Sequence, residues 1–226
     1  MNKIDLRKNI KRKKLLQAAA KVISTKGYND SSIKDITEKA QISVGSFYSY
    51  FSNKEDVLLA LYDEIANMHF EMAKIVSSNC EVTGAKRLAC IISSLVYVQA
   101  KNPELVLILL LKTISINERF ENKHKEIINT IKNVVMPIFE GMKKNNLIEI
   151  IDVEVAAISF IYSINGVMLS YIMDENKKDI EDVAFNIAIY NLNALKMKFD
   201  IEEIQIYIRN LYKKNYFEKF INEVCE

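Results

Sequence analysis

SSIKDITEKAQISVGSFYSYFSNKEDVLLAL, residues 31–61, decides how the chain is read. Its middle sets Tyr48 and Tyr50 between Phe47 and Phe51, shortly ahead of Lys54. A core position calls for apolar groups and a solvated surface for charges. This mixture suits a short helix with one buried side and one side facing a partner. Ser32-x-x-Asp35 has the spacing of a loose capping box, so a helix starts there, with Ile33, Ile36 and Ala40 as its apolar stripe. After Gln41-Ile42, Ser43 caps a third helix whose buried side holds Phe47 and Phe51, four residues apart. Ser52-x-x-Glu55 and Asn53-x-x-Asp56 both offer a cap for a fourth. Upstream, Leu15, Ala19, Val22 and Ile23 recur at helical spacing until Gly27, which suits a left-handed residue closing that helix.

A tight helix pair over 32–51, set on an earlier helix over about 10–26, is the geometry that presents a recognition helix to the major groove. Phe47 and Phe51 then anchor it. Its opposite side carries Val44, Gly45, Ser46, Tyr48 and Tyr50, with Ser43 at its start. Hydroxyls on that side hydrogen-bond phosphate oxygens or base edges, and Gly45 permits close approach. Lys54 adds charge beside helix-terminal N–H groups that favour phosphate.

Residues 10–62 resemble the DNA-binding signature of the TetR family of one-component bacterial regulators, most specifically in the Phe-Tyr-x-Tyr-Phe-x-x-Lys-Glu run ending at Glu55. The resemblance implies that Ser32 and Lys34 touch the DNA backbone. It also implies that Val44, Gly45, Ser46, Tyr48 and Tyr50 face the groove and that Lys54 clamps a phosphate. Where the family usually has glycine between the two helices, this chain has Gln41. If that position is left-handed, a non-glycine residue there costs about 1–2 kcal/mol.

Composition supports an all-α class. Five glycines and two prolines in 226 residues are too few for a turn-rich β fold. The longest purely apolar run, Leu105 to Leu111, is too short to span a bilayer, and the basic residues 1–14 lack a following apolar segment. Cys80, Cys90 and Cys225 have neither metal-ligand spacing nor an even count, so a reduced, cytoplasmic chain without metal or cofactor is expected. Residues 1–54 hold 12 Lys/Arg against 4 Asp/Glu, a balance of +8; the remainder holds 19 against 25, or −6. A basic first quarter on an acidic body is the electrostatic footprint of a nucleic-acid-binding module joined to something else. A solvated basic tail is the plain alternative, since residues 1–14 alone supply +6.

The expected division is a helix-turn-helix domain with its basic arm over 1–53 and a larger effector-binding and dimerisation bundle over 54–226. Periodicity places the bundle's helices at about 54–78, 84–101, 103–115, 119–144, 152–173, 179–198 and 201–223. Pro103 suits the first position of its helix, and Pro137 falls inside another. In the 152–173 segment Ala156, Ser159, Ser163, Gly166 and Ser170 form a stripe of small residues, with apolar residues around the other sides. Such a helix is expected to be buried nearly all round, answered by Ala184, Ala188 and Asn191 on the next. Close packing inside one chain and a four-helix interface across a two-fold axis both satisfy this pattern. Resemblance to the family favours the homodimer. Two recognition helices about 34–36 Å apart would read successive major-groove faces of a palindrome.

No chemistry-bearing constellation emerges. His69 lies among Met68, Phe70 and Met72, where a buried structural role is expected, and His124 sits in a charged run and is expected to be solvated. There is no Ser-His-Asp spacing, di-metal motif or glycine-rich phosphate loop, so an enzyme is not expected. The family's bodies are receptors for small molecules, which implies an unknown effector. Met68, Met72, Tyr97, Phe139, Met142, Phe160, Tyr162 and Met168 would suit a lipophilic one, though such stripes are more often plain core. The reading is a DNA-binding regulator, a repressor released from its operator by that effector, with no membrane role. The rivals are a helical-bundle enzyme and a sequence-blind DNA or membrane-surface protein using the basic arm.

Overall fold

The computed structural model describes residues 3–79, 82–112 and 117–220, and every regular element among them is helical. In chain order these are α1 (Lys3–Lys26), α2 (Ile33–Ala40), α3 (Val44–Phe47), α4 (Lys54–Asn79), α5 (Gly84–Lys101), α6 (Pro103–Leu107), α7 (Glu118–Lys144), α8 (Val153–Met173), α9 (Ile180–Ala194) and α10 (Ile201–Lys213). The chain forms two compact units, one of residues 1–66 and 103–124, the other of 67–102 and 125–226.

In the first unit α1 lies against α2 and α6. Leu15, Leu16, Ala19 and Ile23 of α1, Ile36 of α2, and Phe47 and Phe51 are all buried, as their periodicity requires. Gly27 ends α1 with φ +86°, a conformation open to glycine at little cost. Phe120 is fully buried, with Tyr28 edge-on at 5.7 Å and Tyr62 tilted at 6.3 Å. Lys21–Glu104 at 2.9 Å and Lys123–Asp63 at 2.8 Å tie the rim. His124, expected to be solvated, is half-buried, and burial pushes its imidazole below the ordinary pKa.

In the second unit α5 is central, contacting α8, α9 and α10. Three expected helix bounds need correction, the first being that the segment expected over 179–198 ends at Ala194. The segment 103–115 is not one α-helix, because α6 passes into a π-helical turn at Ile108–Lys112; residues 113–115 lie outside the described part. The last helix stops at Lys213 rather than running to 223. Asn215 is left-handed there (φ 48°), and the Asn215 and Tyr216 N–H groups donate back to the Tyr212 and Leu211 carbonyls at 2.9 Å each. Asparagine is the usual substitute for glycine at this place, because its short polar side chain tolerates the conformation. The turn folds Phe217 into an aromatic cluster with Tyr97 and Tyr212. Cys90 is buried; Cys80 and Cys225 lie outside the described residues, as do 221–223 of the expected final helix.

The largest departure concerns α8. It is not buried all round: Val155, Ser159, Tyr162, Gly166, Ser170 and Met173 are exposed along one seam. Ala157, Phe160, Ile161, Ile164 and Met168 fill the opposite side. α8 is long and apolar enough to cross a membrane by length and composition, a test that core helices of helical proteins also pass.

Candidate nucleic-acid interface

The interface is built by local capping. Ser32 Oγ accepts from the Asp35 N–H at 3.1 Å, while the Asp35 carboxylate accepts from the Ser32 N–H at 2.9 Å. The Lys26 ammonium, 2.7 Å from that carboxylate, together with the Ser32 donors holds its pKa at about 2. Ser32 therefore serves first as a cap, although it is exposed at the start of α2. Lys34 projects into solvent, its ammonium only loosely paired with Glu38 at 3.8 Å.

The turn that aims α3 is made by Gln41, whose backbone is left-handed (φ 56°, ψ 44°). Its N–H donates to the Glu38 carbonyl at 3.2 Å and the Ile42 N–H to the Thr37 carbonyl at 3.0 Å, closing α2 as glycine ordinarily would. Ser43 Oγ accepts from the Ser46 N–H at 3.2 Å and starts α3, which is four residues long and passes into a turn through Tyr50.

The two faces of this segment separate cleanly. Phe47 (0% exposed) and Phe51 (5%) point inward with ring centroids 5.7 Å apart, and the Arg12 guanidinium lies 5.5 Å from the Phe51 ring centre. Val44 (43%) and Tyr48 (55%) stand outward, with Ser43 and Gly45 exposed beside them and Ser46 half-buried. A Cβ added at Gly45 would meet nothing within 4 Å, so nothing within the chain requires glycine there. Tyr50 is half-buried and faces a groove beside α1.

Lys54 is placed differently from the expectation of a free phosphate clamp. Its ammonium donates to the Tyr28 carbonyl and, at 2.7 Å, to the Ser31 carbonyl, and it sits 4.2 Å from the Tyr28 ring centre. Burial lowers its pKa against the pull of Asp30 and Asp35. Two of its three N–H donors thus brace the α1–α2 loop.

Residues absent from the expected site line the groove of about 710 Å³ between α1 and the α2–α3 turn. It is lined from α1 by Arg7, Lys8, Lys11 and Lys14 with the exposed Ile10, and from α2 and the turns around α3 by Ala40, Gln41, Ile42, Ser49 and Tyr50. The signal was present in the sequence as the i, i+4, i+7 spacing of 7, 11 and 14, but a basic tail has the same composition.

The eight residues expected at a subunit interface do not share one surface. Ser159, Gly166 and Ser170 are exposed on α8, Ala156 is half-buried, and the half-buried Ser163 hydroxyl lies 3.0 Å from Asn191 Oδ1. Ala184 and Ala188 are fully buried and Asn191 nearly so, against the chain's own core on the α5 side. Those three present nothing to a partner; Asn186, Tyr190 and Asn193 form the exposed face of α9 instead. Of the suggested effector lining, Met68, Met72, Phe139, Phe160 and Met168 are buried core and Tyr162 is exposed. Among the described residues no three His, Cys, Asp or Glu side chains come together as a metal would require.

Comparison with known proteins converges on the same segment. The model of the bacterial regulatory proteins of the tetR family matches residues 15–61. The fatty acid metabolism regulator protein of Bacillus subtilis is 27% identical over 168 residues, covering 74% of this chain and 86% of its own. An HTH-type transcriptional regulator of that organism, YvdT, is 41% identical over 64 residues, 28% of this chain and 33% of its own. Among solved structures, FadR of Bacillus subtilis in complex with stearoyl-CoA has a TM-score of 0.68 and 25% identity, covering 79% of this chain and 96% of its own. The Bacillus halodurans FadR reaches a TM-score of 0.72 at 21% identity, covering 83% and 97%, which shows a shared fold.

Proposed function

Because this chain is a DNA-binding transcriptional regulator of the TetR family and not an enzyme, we propose that it is a cytoplasmic repressor that binds a palindromic operator as a homodimer and leaves it on binding a long-chain acyl thioester. The observation that carries the DNA half is the outward pair Val44 and Tyr48 on a turn locked from behind by Phe47 and Phe51. In this reading residues 1–53 read DNA and 54–226 sense the effector and dimerise. Ser43, Val44, Gly45, Ser46, Tyr48 and Tyr50 meet the groove, while Ser32, Lys34 and the remaining donor of Lys54 meet phosphate.

The exposed seam of α8 supports the dimer. Val155, Tyr162 and Met173 leave apolar area in water, and Gly166 stands in open space inside a helix, where it is less favourable than alanine by about 1 kcal/mol. Covering by a second copy offsets both costs. The acyl-thioester assignment rests on the Bacillus subtilis relatives, a fatty acid metabolism regulator and a regulator solved with stearoyl-CoA. For release, the ligand must prefer the arrangement that fits the operator poorly. The test is to select genomic fragments with the full chain and titrate the bound complex with stearoyl-CoA. A fall in operator affinity of about 5- to 150-fold is expected; unchanged affinity at saturating acyl-CoA overturns the effector assignment.

A further inference from the structure

The first half of α1 is crowded with like charge. Its first twelve residues carry Lys3, Arg7, Lys8, Lys11, Arg12, Lys13 and Lys14 against a single acid, Asp5. Like charges three or four residues apart on a helix, as at Arg7/Lys11, Lys8/Lys11 and Lys11/Lys14, repel. Several other basic side chains in this unit are matched with a carboxylate: Lys21 with Glu104, Lys26 with Asp35, Arg119 with Glu55 and Lys123 with Asp63. Arg7, Lys8, Lys11 and Lys14 have no carboxylate partner among the described residues, and no acid lines the groove they rim. That groove is also lined by Gln41 of the α2–α3 turn and by Ser49 and Tyr50 of the turn that carries Tyr48.

From this arrangement we infer that the basic face of α1 is a second DNA-binding surface. It holds the phosphate backbone that runs past the recognition turn and widens the footprint by contacts that carry no sequence information. A polyanion is the partner this charge pattern fits, because it relieves the repulsion along α1. A membrane would need a broader apolar stripe than the exposed Leu6 and Ile10 supply. The inference rests on the DNA-binding reading above and adds a surface to it.

The test uses the full chain, an operator fragment selected from genomic DNA and a random duplex, titrated across salt concentration. Arg7→Gln/Lys11→Gln and the quadruple variant with Lys8→Gln and Lys14→Gln are compared with Lys144→Gln, an exposed lysine outside this unit, and circular dichroism checks that each folds. The expected result is a salt slope reduced by about 0.9 for each contact removed. Affinity should fall by the same factor on operator and random DNA, so that their ratio is unchanged. A slope within about 0.5 of wild type in the quadruple variant overturns the inference while leaving operator recognition standing. Slope loss in the variants together with no operator preference in the wild-type chain upholds the surface and sinks the repressor reading instead. Capture of anionic vesicles with no slope change on DNA also overturns it.

Discussion

Replacing Gln41 by glycine isolates the turn that aims the recognition segment. The residue is left-handed at φ 56°. That conformation costs a side-chain-bearing L residue about 1–2 kcal/mol. Glycine removes the cost but gives up about 0.5–1 kcal/mol in additional chain entropy. The exposed Gln41 side chain makes no hydrogen bond among the described residues, so no further loss is charged. The balance is roughly 0–1.5 kcal/mol in favour of glycine. Native-state hydrogen exchange at the Ile42 amide, which donates to the Thr37 carbonyl, reports the local opening directly. Gln41→Gly should slow that exchange or leave it unchanged. Gln41→Val should speed it by more than about five-fold, because a β-branched residue is poorly tolerated there. Faster exchange in the glycine variant, or an unaffected valine variant, would refute the reasoning.

Four further outcomes are expected. Lys54→Ala leaves the Ser31 carbonyl without its donor, while the Tyr28 carbonyl keeps the Ser31 hydroxyl at 2.8 Å, and should destabilise the first unit by about 1–3 kcal/mol in a urea melt, even without DNA. Asp35 has a lowered carboxyl pKa, so its contribution is complete above the ordinary value of 3.8 and disappears as pH falls through about 2. Its NMR titration should show that midpoint, and Lys26→Gln should raise it. Tyr48→Phe should weaken operator binding by about 1–2 kcal/mol while leaving the melting temperature unmoved, since the hydroxyl faces water. Gly166→Leu should dissociate the dimer in analytical ultracentrifugation without unfolding the monomer, because a side chain there meets nothing in its own chain.

What was legible in the sequence is what local rules determine. Ser32 with Asp35, Ser43 before Ser46, and Gly27 past Lys26 are short-range patterns with one physical reading each, and each closes in the structure as its spacing requires. Phe47 and Phe51 were separable from Tyr48 because four-residue spacing puts two anchors on one face. The failures share a cause in that the signal was degenerate. Ala184 and Ala188 have the period of any close helix contact, and periodicity cannot say whether the neighbour is α5 of the same chain or a helix of another. The ends of α9 and α10 were read too far along because Lys196 and Asn215, rather than glycine, adopt the left-handed terminal conformation. The sequence was also silent on the bracing role of Lys54, because the carbonyls that take two of its three donors lie 23 and 26 residues upstream.

The most direct measurement of the central claim is the affinity ratio between a genomically selected fragment and random duplex, taken at one fixed salt concentration with the full chain. A recognition surface formed by Val44, Gly45, Ser46 and Tyr48 predicts a preference of about 10³-fold or more, collapsing when those outward side chains are replaced. Equal affinity for both duplexes would contradict it and leave only a basic protein that sticks to phosphate.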